Sequence, residues 1–356
     1  MPKKKSPLKK LPYLGWSPLV HGVTQSLLQK FKGCKDRFHK HAVLGLRETG
    51  RKEAMEYGSI FHKLIELGAV MGKGYTRVKM LTAMNAWVKR RYDNPESLML
   101  VKIAIAVYEE YRIWEAKKPP QEYIEAEPVF CEAFELPSLL FQPNSNISIS
   151  IPPGIIIPLR GRIDGVLKAK GNGIGIEENK TKGRIDVPFL LNTVPSNIQV
   201  MFYAVCAELK YKKPCKFVIY NVIRKPAERQ KIKESDNAFI QRIKENVQAQ
   251  PTHYFYRLFY EFQQGQVAKW IREELTPTLW DIYLWWRSIE ANPANPWVDQ
   301  NGNPNPFHGR KSFGIYDALS IGKGEFYELI VNGRKQNLEV SNDLFPELIE
   351  DEPTPD

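Results

Sequence analysis

The chain has 356 residues, 43% of them hydrophobic and 26% charged, and a formal net charge of +11. That length can bury a substantial core as one large domain or two, and no apolar run is long enough to span a bilayer or to serve as a signal-peptide core, so a membrane or secreted protein is not expected. The basic balance favours an anionic partner, nucleic acid being the commonest, with a merely basic surface as the bland alternative.

In chain order, residues 1–20 read as a flexible basic tail, with five lysines in the first ten positions. A single domain is expected over 21–340. Its first part, 24–118, reads as helical: VTQSLLQKFKGCKDRFHKHAVLG with Thr24 as a cap, KEAMEYGSIFHKLIELGAVMGKG with Phe61, Leu64, Ile65 and Gly68 on one side, and NPESLMLVKIAIAVYEEYRIWEAKKPP closed by Pro119 and Pro120. The core, 122–225, alternates: YIEAEPVFCEAFELP, the isoleucine-rich stretch up to LKAK, and GIGIEENKT after the turn-forming KGNG all read as strands. VPSNIQVMFYAVCAELKY follows as a helix capped at Ser196 or Asn197, and CKFVIYNVIRKP as a strand. The order predicts an α/β fold with a central mixed sheet flanked by helices. Residues 235–320 read as a further helical part, unbroken from Ser235 to about Ile289, ahead of a proline- and asparagine-rich loop; 341–356 form an acidic tail with six acids and no base.

Cys34, Cys131, Cys206 and Cys215 form no C-x-x-C pair. A disulfide framework, a zinc site and an iron–sulfur site are therefore not expected, and a reducing compartment is: the cytoplasm, or a host's cytoplasm for a phage-borne chain. No dinucleotide glycine fingerprint, P-loop or G-x-S-x-G is present.

The chemistry concentrates in the hairpin RGRIDGVLKAKGNGIGIEENKTKG. A turn centred on Gly171 sets Asp164 opposite Glu178, and Lys180 shares the face of Glu178 by the period of two. Two carboxylates and an ammonium then converge where like charges repel unless something binds them. A hard divalent cation is one reason for such a patch; a solvated sheet face with a cross-strand ion pair is the blander and, for this hairpin alone, more common one. Gln199 and Tyr203, four apart, share a face of the following helix.

Taken together, GSIFH, GRIDGV, IEENKTKG and QVMFY stand in the order of the motifs of the RecB-like branch of the PD-(D/E)XK nucleases, and SLLQKFKGCKDRF resembles the short N-terminal helix of that branch. The resemblance covers roughly residues 24–225 and implies a restriction-endonuclease-like core with additional helices on its N- and C-terminal sides. It implies His62, Asp164 and Glu178 as metal ligands, with the backbone carbonyl of Asn179 completing the set, and Asp164, Glu178 and Lys180 as the catalytic residues. Gln199 and Tyr203 match the helix that supports the site and contacts DNA. Glu127, in EAEPVF, matches more loosely an acid that some members place ahead of the core strands, and Glu177 is the spare acid, facing the other side of the sheet. Many relatives carry a four-cysteine iron–sulfur clamp; no cysteine follows Cys215 here, so no cluster is expected. Trp280, Trp285 and Trp286 are then expected to pack helices together rather than to stack on bases.

The function so implied is Mg²⁺-dependent hydrolysis of DNA phosphodiester bonds, with Mn²⁺ able to substitute, by a stand-alone exonuclease in recombination or end processing. Arg160, Arg162, Lys182 and Arg184, nearest in sequence, would hold single- or double-stranded DNA by its backbone. A catalytically inactive binding protein of the same fold and a sequence-specific endonuclease are the alternatives.

Overall fold

The computed structural model describes residues 16–291, apart from 34, 44–45, 49–52, 72–73, 75, 92–94, 145–146 and 152, together with three short strands, Leu329–Val331, Arg334–Gln336 and Leu338–Val340. Cys34, most of the basic tail, the proline- and asparagine-rich loop and the acidic tail lie outside the described residues. The chain divides into two compact units: Met1–Gly50 with Val129–Gly161 and Gly265–Ile349, and Arg51–Pro128 with Arg162–Gln264 and Glu350–Asp356.

The second unit is built on a sheet. Its elements are α1 (Glu53–Met71), α2 (Arg77–Arg91), α3 (Pro95–Glu115), β1 (Tyr123–Ala126), β2 (Gly165–Lys168), β3 (Ile174–Lys182), α4 (Val187–Thr193), α5 (Ile198–Tyr211), β4 (Cys215–Arg224), α6 (Asp236–Ala249) and β5 (Phe255–Glu261). The strands lie in the order β5-β4-β3-β2-β1. β3 and β4 are parallel and every other neighbouring pair is antiparallel, which makes the sheet mixed, as the sequence leads one to expect. The two parallel strands read as near-continuous apolar runs because both of their faces are covered: Ile174, Ile176, Val218, Ile219, Val222 and Ile223 are all buried. The crossover between them runs through α4 and α5. Asn197 caps α5, its side chain accepting the amides of Gln199 at 2.9 Å and Val200 at 3.2 Å, and every residue from Val200 to Ala207 is buried.

Helices α1, α2, α3 and α6 share a core that includes Tyr57, Phe61, Leu64, Met80, Met84, Val101, Ile105, Phe239 and Ile243. The ring of Phe61 lies edge-on to Tyr108 and Tyr111, at 6.0 and 6.1 Å. Gly68 is required by space: a Cβ there would collide with the Tyr108 hydroxyl. Helix α2 was not singled out from sequence, although Met80, Met84, Trp87 and Val88 form its buried stripe at helical spacing amid lysines and arginines.

One expectation is corrected. The stretch from Ser235 to Ile289, read as helical, is interrupted by β5, which pairs antiparallel with β4 from Phe217↔Glu261 to Ile223↔Phe255. FYRLFYE is rich in aromatic residues, which favour a pleated, half-buried surface, and the outer ladder of β4 needs partners for its backbone groups. The sheet of the core therefore extends past residue 225.

In the first unit, Val23–Thr24 pairs in parallel with Leu159–Arg160 at one edge of a three-stranded sheet completed by Val129–Leu136. Thr24 caps the helix Gln25–Gly33 by accepting the Leu27 amide at 3.3 Å. Phe31 of that helix lies edge-on to Trp285 of the helix Thr276–Ala291, 5.7 Å away, and Trp280, Trp285 and Trp286 are all buried. The helices Gln25–Gly33 and Thr276–Ala291 thus dock through aromatic packing. Among the described residues no single helix is long and apolar enough to cross a membrane.

Candidate active site

The hairpin pairs in the register set by a turn at Gly171, which has φ +70°: Gly165 lies opposite Glu177, Val166 opposite Ile176, and Lys168 opposite Ile174. One residue further, Asp164 would face Glu178, but β2 has ended. The chain there turns to its other neighbour: the Ile163 amide donates to the Pro128 carbonyl and the Glu127 amide to the Asp164 carbonyl, both at 3.1 Å. Beyond the end of β2, the amide of Asn179 donates instead to the Asp164 carboxylate, at 2.5 Å. The Asp164 side chain is thereby fixed to β3 by main chain alone.

Alternation along β3 separates two sets of side chains. On one face, Glu178 Oε1 pairs with Lys180 Nζ and accepts a hydrogen bond from Gln199 Nε2 at 2.7 Å. The same Gln199 amide reaches the Tyr203 hydroxyl at 3.3 Å, so one helical turn of α5 backs the carboxylate. His62 of α1 stands 3.5 Å from Asp164, Nδ1 to Oδ1. Side-chain exposure rises from 2% at Glu178 and 14% at Asp164 to 27% at Lys180 and 34% at His62, so the patch is closed at its floor and open at its rim. His62, Asp164, Glu178, Lys180, Gln199 and Tyr203 are thus brought together.

The charges hold one another in place. Burial pushes the Glu178 carboxyl well above the usual range; Lys180 opposes this and Asp164 adds to it. Asp164 is held below its ordinary value although burial alone would raise it, because His62, Lys180 and the Asn179 amide favour the anion. Burial would lower His62 and Lys180, yet the facing carboxylates outweigh it and both are raised. The facing carboxylates therefore favour the ammonium form of Lys180.

The fit of these residues to a divalent cation rests on one atom. Glu178 Oε2 is buried and has no hydrogen-bond partner, and an unsatisfied buried carboxylate oxygen is costly. Mg²⁺ binds through one or two carboxylates and fills its other positions with water and phosphate oxygens. Asp164 and Glu178 meet that requirement. Among the described residues no three His, Cys, Asp or Glu side chains form a ready-made cage, and His62 meets the site through Asp164.

The opposite face of β3 carries a buried polar network. Asn221 of β4 donates from Nδ2 to Glu177 Oε1 at 2.7 Å and to Asn179 Oδ1 at 2.9 Å. Arg257 of β5 donates from Nε to Asn221 Oδ1 at 2.7 Å and from Nη2 to both carboxylate oxygens of Glu115 at 2.6 Å. The Tyr123 hydroxyl donates to Glu177 Oε2. Gly165 is fitted against this pair: a Cβ there would lie 2.8 Å from the Tyr123 ring and 3.1 Å from Glu177 Oε2. Burial and the Glu115 charge push Glu177 up to about 7, against the Tyr123 hydrogen bond and Arg257. Sequence reasoning placed Glu177 on this face but missed Tyr123, Asn221, Arg257 and Glu115. A signal existed at Asn221, a fully buried amide in the apolar run FVIYNVI.

Around the rim, Glu127 adopts a left-handed conformation (φ 49°) and lies 3.8 Å from Arg162 Nη1; burial, Glu66 and Asp164 push its carboxyl up to about 7. Lys182 follows Lys180 on the same face of β3, its ammonium 5.8 Å above the ring of Phe189, which is exposed. Arg184 is exposed just beyond the strand. Arg160 lies in the other unit.

A family model, that of the PD-(D/E)XK nuclease superfamily, matches residues 23–278. No curated protein matches the chain. Nucleases of this superfamily generally use divalent metal ions such as Mg²⁺, and the mixed sheet flanked by helices is consistent with its restriction-endonuclease-like fold. With well over half of its length matched, the chain belongs to the PD-(D/E)XK nuclease superfamily.

Proposed function

We propose that this chain is a metal-dependent deoxyribonuclease of the RecB-like branch, acting as a stand-alone exonuclease in recombination or DNA end processing. The observation that carries the metal site is the buried, unpartnered Oε2 of Glu178 beside Asp164 and Lys180. Asp164, Glu178, the Asn179 carbonyl and His62 would hold a divalent cation. When bound, Mg²⁺ or Mn²⁺ supplies positive charge that polarises the scissile phosphate and acidifies a water.

The chain's own groups do the rest. His62 and the Asn179 amide hold Asp164 as an anion in one orientation. Gln199, backed by Tyr203, fixes one oxygen of Glu178 and leaves the other for the cation. Lys180 remains an ammonium, orients the attacking water and offsets the charge that builds on the phosphate. Arg162, Lys182 and Arg184 hold the backbone without reading sequence. The motif order around His62, Asp164, Glu178–Lys180 and Gln199–Tyr203 supports the RecB-like branch.

Digestion of end-labelled linear and covalently closed circular DNA, with Mg²⁺ or with EDTA, tests this. Linear DNA is cut only with Mg²⁺ and circles are spared. Asp164→Ala and Lys180→Ala abolish cutting and keep binding. Cutting of circles makes the chain an endonuclease, and wild-type rates in either variant refute the mechanism.

A further inference from the structure

The polar network behind β3 joins the site at a single residue. Asn179 has its side chain on the rear face, where Oδ1 accepts from Asn221 at 2.9 Å, while its backbone amide donates to Asp164 at 2.5 Å. Asn221 is itself held: its own Oδ1 accepts from Arg257, and Arg257 is clamped by Glu115. Tyr123 and Glu177 close the other end. Every one of these groups lies on β1, β3, β4, β5 or α3, elements far apart in sequence but adjacent in the sheet or against it. An isolated buried polar network is a poor source of stability beside an apolar core. This one ends on the residue whose two flanking peptide groups carry the amide bound to Asp164 and the carbonyl offered to the cation.

We propose that Asn221 and Arg257 are positioning residues for the metal site. They lock the Asn179 side chain from behind, and so set the orientation of the peptide that aims the Asp164 carboxylate. This rests on the nuclease reading above for its consequence in catalysis, but its direct effect is on cation binding. Groups that orient a ligand through one intermediate typically change metal affinity or rate by about 10- to 100-fold when removed.

The test uses the full-length protein with Asn179→Ala, Asn221→Leu and the double variant. Mn²⁺ binding is followed by calorimetry, the Mg²⁺ dependence of cleavage by gel, DNA affinity in EDTA by anisotropy and folding by thermal melting. Each single variant is expected to weaken Mn²⁺ binding and raise the half-saturating Mg²⁺ concentration by about tenfold or more, with DNA affinity in EDTA unchanged. The double variant is expected to be no worse than the poorer single one, because both break the same link. A folded Asn221→Leu protein with wild-type cation binding overturns the proposal, as does additive loss in the double variant. If Asn221→Leu does not fold, Asn179→Ala decides alone, and wild-type cation binding in it is equally fatal. A wild-type protein that binds Mn²⁺ but cuts no DNA refutes the nuclease reading and leaves the calorimetry to decide this one; a wild-type protein that binds no cation refutes both.

Discussion

Gln199 donates to one oxygen of Glu178 at 2.7 Å, while the other oxygen of the same carboxylate is buried without a partner. The helix that follows the hairpin therefore prepares half of the carboxylate and leaves half for a ligand. Gln199→Leu, which fills similar space without donating, is expected to lower kcat and raise the Mg²⁺ requirement by about 10- to 100-fold. Steady-state cleavage across a Mg²⁺ titration measures it. A loss confined to KM for DNA would assign Gln199 to the substrate instead.

Burial raises the folded pKa of Glu178 above its unfolded value near 4.5. The sign follows from linkage: stability from this group is fully present below the unfolded pKa and is lost as pH rises through the folded one. In EDTA the melting temperature should thus fall between pH 5 and pH 8. Glu177 and Glu127, both pushed up to about 7, contribute in the same direction. Glu178→Gln should flatten that decline, narrowing the gap between the melting temperatures at pH 5 and pH 8. Mg²⁺ should stabilise the wild type at pH 8 and the variant far less. Identical pH slopes for the two proteins would show that Glu178 is not buried as an anion.

Phe189 is exposed on α4, beneath the ammonium of Lys182. A base of single-stranded DNA stacked there would gain about 1–3 kcal/mol. In an Asp164→Ala background, Phe189→Ala should weaken single-strand binding by roughly tenfold, and Phe189→Trp should retain it. Lys182→Ala should weaken every sequence equally and reduce the salt dependence by about one charge. Anisotropy titrations at several salt concentrations separate these outcomes, and unchanged affinity in Phe189→Ala would place DNA elsewhere.

Gly68→Ala introduces a methyl group where the Tyr108 hydroxyl lies. Overpacking of this kind costs about 1–3 kcal/mol. Thermal melting should show the loss, with partial recovery in the Gly68→Ala/Tyr108→Phe double variant, while cation affinity stays at the wild-type level because the contact is remote from β3. A shift in cation affinity would mean that α1 transmits its packing to His62.

The hairpin was legible because KGNG fixes the turn and the period of two then fixes every face, so Asp164, Glu178 and Lys180 fall together from the sequence. The Gln199–Tyr203 pair on α5 followed from the same local rules, which narrowed its cap to Ser196 or Asn197; the structure makes it Asn197. β5 was not legible: FYRLFYE carries aromatic residues that suit a strand, yet it sits among helical stretches, and only the empty edge of β4 decides its state. The rear network was hidden for a related reason. Its bonds join residues 36 to 142 positions apart, and no local period connects Glu115 to Arg257 or Arg257 to Asn221. What remained visible was a lone amide, Asn221, inside an apolar strand.

Gly165 follows Asp164 directly, and it is excluded from bearing a side chain by Tyr123 and Glu177 rather than by any unusual backbone angle. The two neighbours in the D-G pair therefore obey separate masters. The aspartate answers to the cleft and the glycine to crowding on the reverse side. Gly165→Ala would be felt first as displaced tyrosine and only then as a misaimed carboxylate, so crowding behind the sheet reaches the cleft through a position with no functional group of its own.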